Sequence, residues 1–186
     1  VNNLMISDRV HVVFPWHIAE DHAINAQKVG GENIGTTLRG IGPCYRDKVG
    51  RSLAVRLGDM YRDDFQQRVE TIVSSKKRLL AGINGEAGSD LDAAKIYDEF
   101  RGYAERLKPY VGDTTSYLLD AVDDGKRLLY EGAQGCLLDI DHGTFPFVTS
   151  SNSSGTGVSS GAGVPSRCID KMIGVAKAYS CLLYTS

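Results

Sequence analysis

The chain has 186 residues, and its 21 basic and 23 acidic side chains give a formal net charge of −2. This balance argues against nucleic acid or a membrane surface as a partner, because proteins that bind those polyanions carry a large excess of Lys and Arg. No run of about 18 apolar residues occurs, so no spanning helix is predicted. The composition, 42% hydrophobic and 24% charged, is typical of globular proteins.

The apolar residues predict strands alternating with helices. Strands are expected at Val10 to Phe14 and at Arg127 to Tyr130, the second ending at Glu131. Helical periodicity covers, in chain order, 18–26, 63–83, 97–111, 114–122 and 169–179. This alternation predicts an α/β fold with a central, mostly parallel sheet flanked by helices, and it places ligands at the carboxyl ends of the strands. The four cysteines form no C-x-x-C pair, so we expect reduced thiols in a cytoplasmic protein.

Two segments carry residues suited to chemistry. The first, NIGTTLRGIGPCYRDKVGR, runs from Asn33 to Arg51 and reads as a glycine-containing basic loop that Pro43 would hold in shape. Its backbone amides, hydroxyl groups and cationic side chains suit a small anion such as a phosphate. A surface turn with solvated arginines is the alternative, since neither Walker A nor G-x-G-x-x-G is matched.

The second segment runs from Leu128 to Gly157. It places Gln134 after the predicted strand, where an amide can donate to and accept from a purine edge, and it places hydroxyl groups from Thr149 onward that suit phosphate or ribose contacts. Asp139, Asp141 and His142 also suggest a metal-dependent hydrolase. The competing interpretation is a buried carboxylate pair that bonds to nearby turn amides.

The exact residue order in both segments resembles one family. GIGPCYRDKVGR, Gly40 to Arg51, matches the adenylosuccinate synthetase signature G-I-G-P-x-Y-x-x-K-x-x-R, and YEGAQGCLLDIDHGTFPFVTSSN, Tyr130 to Asn152, resembles its second hallmark. The resemblance implies a P-loop-NTPase-like fold and a GTP-dependent, Mg²⁺-requiring ligase that joins IMP and L-aspartate to give adenylosuccinate. It also implies a homodimer.

The resemblance assigns roles to particular residues. Thr37 and Arg51 would hold the IMP 5′-phosphate, with Arg51 reaching the ligand of the partner subunit. Gln134 would act catalytically beside the activated O6, Thr149 would contact the phosphate end of the nucleotide, and Lys48 would give electrostatic support. The resemblance covers only part of a family member, so residues 1–179 are expected to be the central part of a single domain and 180–186 a non-native tail.

The family's N-terminal Gly-Asp-Glu-Gly-Lys-Gly loop and its histidine-bearing segment do not occur in these residues, so no metal ligand is assigned here and the chain alone is expected to be inactive. A non-catalytic nucleotide-binding module built on the same scaffold remains the alternative to an enzyme. Leu38 departs from the residue type expected after Thr37, which predicts an altered loop shape.

Overall fold

The computed structural model describes residues 3–27, 35–83, 88 and 90–176. The chain divides into two compact units, Val1–Tyr117 and Leu118–Ser186. The carboxyl-terminal residues 180–186, interpreted above as a non-native tail, lie outside the described residues. No described helix is both long and apolar enough to cross a membrane.

Four helices dominate the first unit. They are α1 Pro15–Ala26, α2 Ile41–Gly50, α3 Phe65–Ile83 and α4 Ala93–Leu107. Short 3-10 turns occupy Leu57–Tyr61 and Lys108–Tyr110. Pro15 begins α1 at the one turn where a helix tolerates a missing N–H. Asp92 begins α4, because its carboxylate accepts hydrogen bonds from the amides of Ala94 and Lys95.

The sheet of the first unit is small and parallel. Strand β1, Ile6–Ser7, pairs with β2, Val111–Gly112, so that Ile6 lies opposite Val111. The strand predicted at Val10 to Phe14 is wrong, since His11 makes only an isolated antiparallel bridge to Arg56. Phe14 instead leaves the extended run to stack between Trp16 and Phe100, at centroid distances of 4.2 and 4.1 Å.

The core of the first unit lies among α1, α3, α4 and the turn before α3. It is built from aromatic and aliphatic side chains, the most enclosed of which are Phe14, Trp16, Met60, Phe65, Val69, Ile72, Leu80 and Ala104. The stripe predicted over 63–83 is confirmed as α3. Leu79, which the stripe included, is exposed because the buried face turns toward Val73 and Lys76 instead.

The segment Gly40 to Arg51 differs from the predicted loop. Residues Ile41–Gly50 form helix α2, and Pro43 lies in its first turn, where the helix needs no N–H from it. Gly40 precedes the helix at φ 75°, and a Cβ there would lie 2.8 Å from backbone atoms of His17 and Ile18. Only glycine therefore lets α2 start against the surface of α1.

The second unit contains little regular structure. Helix α5, Thr114–Asp123, spans the boundary between the units, and α6 covers Gly157–Ala162. Cys136–Leu138 and Ser166–Cys168 are 3-10 turns. The helix predicted over 114–122 is confirmed.

Two predicted elements of the second unit are wrong. Residues 127–130 are not a strand, and residues 169–176 are not helical; residues 177–179 lie outside the described part. A strand forms only where another strand accepts its backbone bonds, and no described residue pairs with 127–130. Leu129 is 86% exposed and Val175 95% exposed. Gly174 also weakens helix formation within the second run.

Candidate functional site

The predicted site residues fall in both units. Thr37, Lys48 and Arg51 belong to the first, and Gln134 and Thr149 to the second. All but the half-buried Thr149 are exposed. The hydroxyl of Thr37, the guanidinium of Arg51 and the amide of Gln134 make no hydrogen bond or ion pair within the described ranges.

Arg51 has an unusual backbone conformation. Its φ of 67° and ψ of −45° place it in a γ-turn, in which the amide of Ser52 donates to the carbonyl of Gly50 at 2.8 Å. This turn is strained for any residue with a Cβ. The amide of Arg51 itself donates to the carbonyl of Asp47 at 2.7 Å, so the strained residue is tied to the last turn of α2.

Neighbouring residues show which polar groups serve the fold and which remain free. The hydroxyl of Thr36 donates to Asp21 at 2.9 Å and accepts from the amide of Leu38 at 3.1 Å. Thr37 makes neither contact. Arg46 is ion-paired with Glu20, whereas Arg51, five residues later, has no such partner among the described residues.

Lys48 lies in the last turn of α2, 5.2 Å from the ring centroid of Tyr45. A cation over an aromatic face is weakly stabilised and remains open to solvent. At the end of α2, Lys48 and Arg51 bring two positive charges to the surface within one helical turn.

A buried polar cluster holds α2 against α1 and α3. The ammonium of Lys76 lies 2.8 Å from the Glu20 carboxylate and 2.6 Å from that of Asp47. His17 Nδ1 accepts from the amide of Phe14, and its Nε2 lies 3.0 Å from a carboxylate oxygen of Asp47 and 3.1 Å from the indole Nε1 of Trp16. Together with Arg46, the cluster balances two negative and two positive charges, as burial requires.

Burial alone would raise the pKa of Asp47, but hydrogen bonds from His17 and Lys76 outweigh it and lower that pKa below its usual value. Sequence reasoning missed this cluster. The available signal was Lys76, which lies four residues after Ile72 and four before Leu80 on the apolar stripe of α3. A charged residue on a core-facing stripe indicates a buried partner.

In the second unit, Asp139 organises the loops that carry Gln134 and Thr149. Its side chain is fully buried and accepts from the amides of Asp141, His142 and Ser154 at 3.0, 3.1 and 2.9 Å. The amide of Ser154 is the main cause of the strongly lowered pKa of Asp139. Asp139 thus joins residues 139–142 to the loop after Thr149.

Further bonds close the same set of loops. The amide of Thr149 donates to the carbonyl of Leu138 at 2.8 Å, and the hydroxyl of Ser153 donates to the carbonyl of Gly135 at 2.9 Å. Gly135 directly follows Gln134. Gln134 and Thr149 therefore lie on loops that are joined by hydrogen bonds into one cluster. The sequence predicted a strand end for Gln134 and a separate turn for Thr149.

The same geometry bears on the metal-dependent alternative. Both carboxylate oxygens of Asp139 accept backbone amides, and Asp141 accepts from the side chain of Asn152. Among the described residues, no group of three His, Cys, Asp or Glu side chains is placed to hold a metal ion. For Asp139, the alternative of a buried carboxylate bonded to turn amides is confirmed. Asp141 is exposed, so the two carboxylates do not form a buried pair.

Comparisons with known proteins agree with both motifs. The family model for adenylosuccinate synthetase matches residues 1–183. The adenylosuccinate synthetase of Heliobacterium modesticaldum is 49% identical over 180 residues, which are 96% of this chain and 41% of that protein. The enzyme of Streptococcus sanguinis is 46% identical over the same shares. This chain thus spans about 41% of the length of these curated relatives.

A solved structure shows the same fold. The fully ligated adenylosuccinate synthetase from Plasmodium falciparum matches with a TM-score of 0.81 and 32% identity, over 91% of this chain and 39% of that one. The α/β class predicted from the alternation of elements is confirmed in partial form, as helices with a small parallel sheet. Both the sequence and the fold lead to one conclusion: this chain belongs to the adenylosuccinate synthetase family.

Proposed function

We propose that this chain is part of a GTP-dependent ligase that joins IMP and L-aspartate to give adenylosuccinate, GDP and phosphate. One observation carries the proposal: the family motif ends in a strained turn at Arg51, whose guanidinium is exposed and without a partner among the described residues. Strained backbone is tolerated where function requires it. The matching family and fold support the same proposal.

The proposed reaction has two steps. The γ-phosphoryl group of GTP passes to O6 of IMP as N1 of the purine ring loses its proton, and GDP leaves. The amine of L-aspartate then attacks C6, the C6–O6 bond breaks, and phosphate departs as the amine loses a proton. Both steps move negative charge, so positioning and charge neutralisation supply most of the catalysis.

The residues of this chain bind and orient IMP. Thr37 and Arg51 hold the 5′-phosphate through a hydroxyl and a charge-assisted hydrogen bond. Gln134 contacts the reacting O6 through its amide, and Thr149 contacts the phosphate end of the nucleotide. Lys48 is not assigned a contact and contributes positive potential at the end of α2.

Two symmetric copies of the longer enzyme complete each site. Arg51 is exposed at the end of α2, from which its long side chain can extend beyond its own subunit. We place it on the IMP of the partner subunit of a homodimer, an arrangement in which the same surface serves both copies.

GTP and Mg²⁺ are required by the proposed reaction, in which Mg²⁺ neutralises charge on the transferring phosphoryl group. The described residues offer no set of ligands for it, and we assign no metal ligand and no step through the metal to this chain. We further propose that residues 1–179 form the central part of one domain, that the enzyme is cytoplasmic, and that this chain alone does not turn over.

The proposal is tested in a hybrid enzyme, in which this chain replaces the matching 180 residues of the Heliobacterium modesticaldum relative. The hybrid should form adenylosuccinate. Arg51→Leu should raise the KM for IMP and so lower kcat/KM for IMP roughly 30- to 150-fold. This corresponds to a loss of about 2–3 kcal/mol of stabilisation by the charge-assisted phosphate contact. Arg62→Leu is the control, because Arg62 is an exposed arginine that already pairs with Asp64 outside the motif. An unchanged KM for IMP in Arg51→Leu would remove the role of this arginine.

Mixed dimers test the placement of Arg51 across the interface. Arg51→Leu and Gln134→Ala subunits are assayed at an IMP concentration far below the KM of either variant, where each alone is nearly inactive. On random mixing they should regain up to about a quarter of wild-type activity, since each mixed dimer then holds one complete site. Calorimetry on this chain alone separates the enzyme from a non-catalytic module. Tight binding of IMP by the isolated chain would favour the module.

A further inference from the structure

We propose that Asp21, on α1, is a positioning residue that fixes the loop carrying Thr37 in the shape that receives the phosphate of a nucleoside monophosphate. This inference rests on the proposed function, which places Thr37 at that phosphate. Asp21 does not touch the ligand itself. It acts through Thr36 and Gly40, which lie on either side of Thr37 in the chain.

Both carboxylate oxygens of Asp21 are used on this loop. Oδ1 accepts from the hydroxyl of Thr36 at 2.9 Å, and Oδ2 accepts from the amide of Gly40 at 3.0 Å. Three residues lie between these two donors, so the carboxylate closes a small ring around Thr37. An acceptor-only group with two oxygens is the side chain that can satisfy both donors at once.

The loop needs this restraint because two of its residues have backbone conformations with positive φ. Leu38 lies at φ 54°, a conformation that a residue with a γ-branched side chain rarely adopts. Gly40 lies at φ 75° and in close contact with the backbone of His17 and Ile18. Among the described residues, Leu38 hydrogen-bonds to Thr36 alone, through its amide, so the bond between Asp21 and Thr36 also restrains Leu38.

Charge and geometry predict opposite effects at Asp21. A carboxylate near an anion site repels the anion, so its removal should tighten phosphate binding if only the field matters. If Asp21 positions the loop, its removal should weaken binding. Asparagine supplies one acceptor oxygen and one amide donor, so Asp21→Asn removes the charge and leaves one of the two loop donors facing another donor.

The activity test uses the hybrid enzyme with Asp21→Asn, Thr36→Val and the pair together. Each single variant should raise the KM for IMP about 5- to 20-fold and leave the KM for GTP within about twofold. The KM for IMP of the double variant should rise by less than the product of the two single increases, because both substitutions break the same bond between Thr36 and Asp21. Asp63→Asn, which removes an exposed carboxylate from another part of the unit, is the control for charge.

A second measurement does not depend on activity. Hydrogen exchange of the Gly40 amide in this chain should be at least about tenfold faster in Asp21→Asn than in the wild type, and unchanged in Asp63→Asn. Equal protection of Gly40 in both chains overturns the inference whether or not the hybrid is active. A lower or unchanged KM for IMP in Asp21→Asn also overturns it. An inactive wild-type hybrid would instead refute the proposed function, and the exchange data would still decide whether Asp21 holds the loop.

Discussion

At the scale of single residues, strain marks both ends of α2. Leu38 and Arg51 are the non-glycine residues with positive φ in the described part of the chain. Leu38 directly follows Thr37, a predicted phosphate contact, and Arg51 is itself such a contact. The sequence indicated Thr37 and Arg51 only through their order in a family motif. It did not predict the positive φ angles, because the loop of Leu38 is held by Asp21 of α1 and the turn at Arg51 is bonded to the last turn of α2.

Replacing Arg51 should separate stability from function. Arg51→Gly relieves a turn conformation that costs on the order of 1–3 kcal/mol, against roughly 0.5–1 kcal/mol of added chain entropy. We expect the first unit to gain about 1 kcal/mol in free energy of unfolding. Urea unfolding followed by the fluorescence of Trp16, the one tryptophan and fully buried in this unit, measures the change.

The control for Arg51→Gly is Gly50→Ala, which meets open space and should gain no more than about 1 kcal/mol by helix propensity. In the hybrid enzyme, Arg51→Gly should lose IMP affinity as Arg51→Leu does. A loss of stability in Arg51→Gly would show that the turn is held by the arginine side chain.

At the scale of elements, α1 organises the site although no predicted site residue lies on it. His17, Glu20 and Asp21 of α1 hold α2 and the loop before it, and Lys76 of α3 completes the cluster. The sequence predicted α1 and α3 well, because their apolar residues repeat at helical spacing. It read α2 as a loop, since glycine, proline and charge dominate its composition and its helix depends on contacts with α1.

Lys76→Met tests the buried cluster. It removes the ammonium that balances Glu20 and Asp47 and leaves buried carboxylates under-compensated, so we expect a loss of about 3 kcal/mol in free energy of unfolding. Lys77→Met, at the exposed neighbouring position of α3, should change stability by no more than about 0.5 kcal/mol. The Trp16 signal in urea follows both. If Lys76→Met and Lys77→Met changed the free energy of unfolding by the same small amount, the cluster around Lys76 would not stabilise the unit.

At the scale of the whole molecule, the two units are stabilised differently. The extended apolar core belongs to the first unit, and Ala121 and Val164 are the buried hydrophobic residues of the second among those described. The second unit relies instead on hydrogen bonds that converge on Asp139. Its stability should therefore depend on the ionisation of that carboxylate.

The pH dependence has a definite sign. Because the folded pKa of Asp139 is lowered, its stabilising contribution is complete above the unfolded pKa of about 3.9 and is lost as pH falls toward the folded value. Asp139→Asn should destabilise the second unit at neutral pH and flatten its stability between about pH 5 and 2. Exchange of the Ser154 amide measures this. Asp141→Asn, at an exposed carboxylate, should keep the wild-type profile.

The sequence by itself determined the family, the class of fold and the helices α1, α3, α4 and α5, because motif order and apolar periodicity are local properties of the chain. Tertiary structure decided the rest. Whether 127–130 becomes a strand depends on a partner strand, and no described residue supplies one. Whether Asp139 binds metal or amides, whether Asp21 binds the loop before α2, and whether Lys76 is buried between Glu20 and Asp47 depends on groups distant in sequence, since hydrogen bonds and buried charges are satisfied only by neighbours in space.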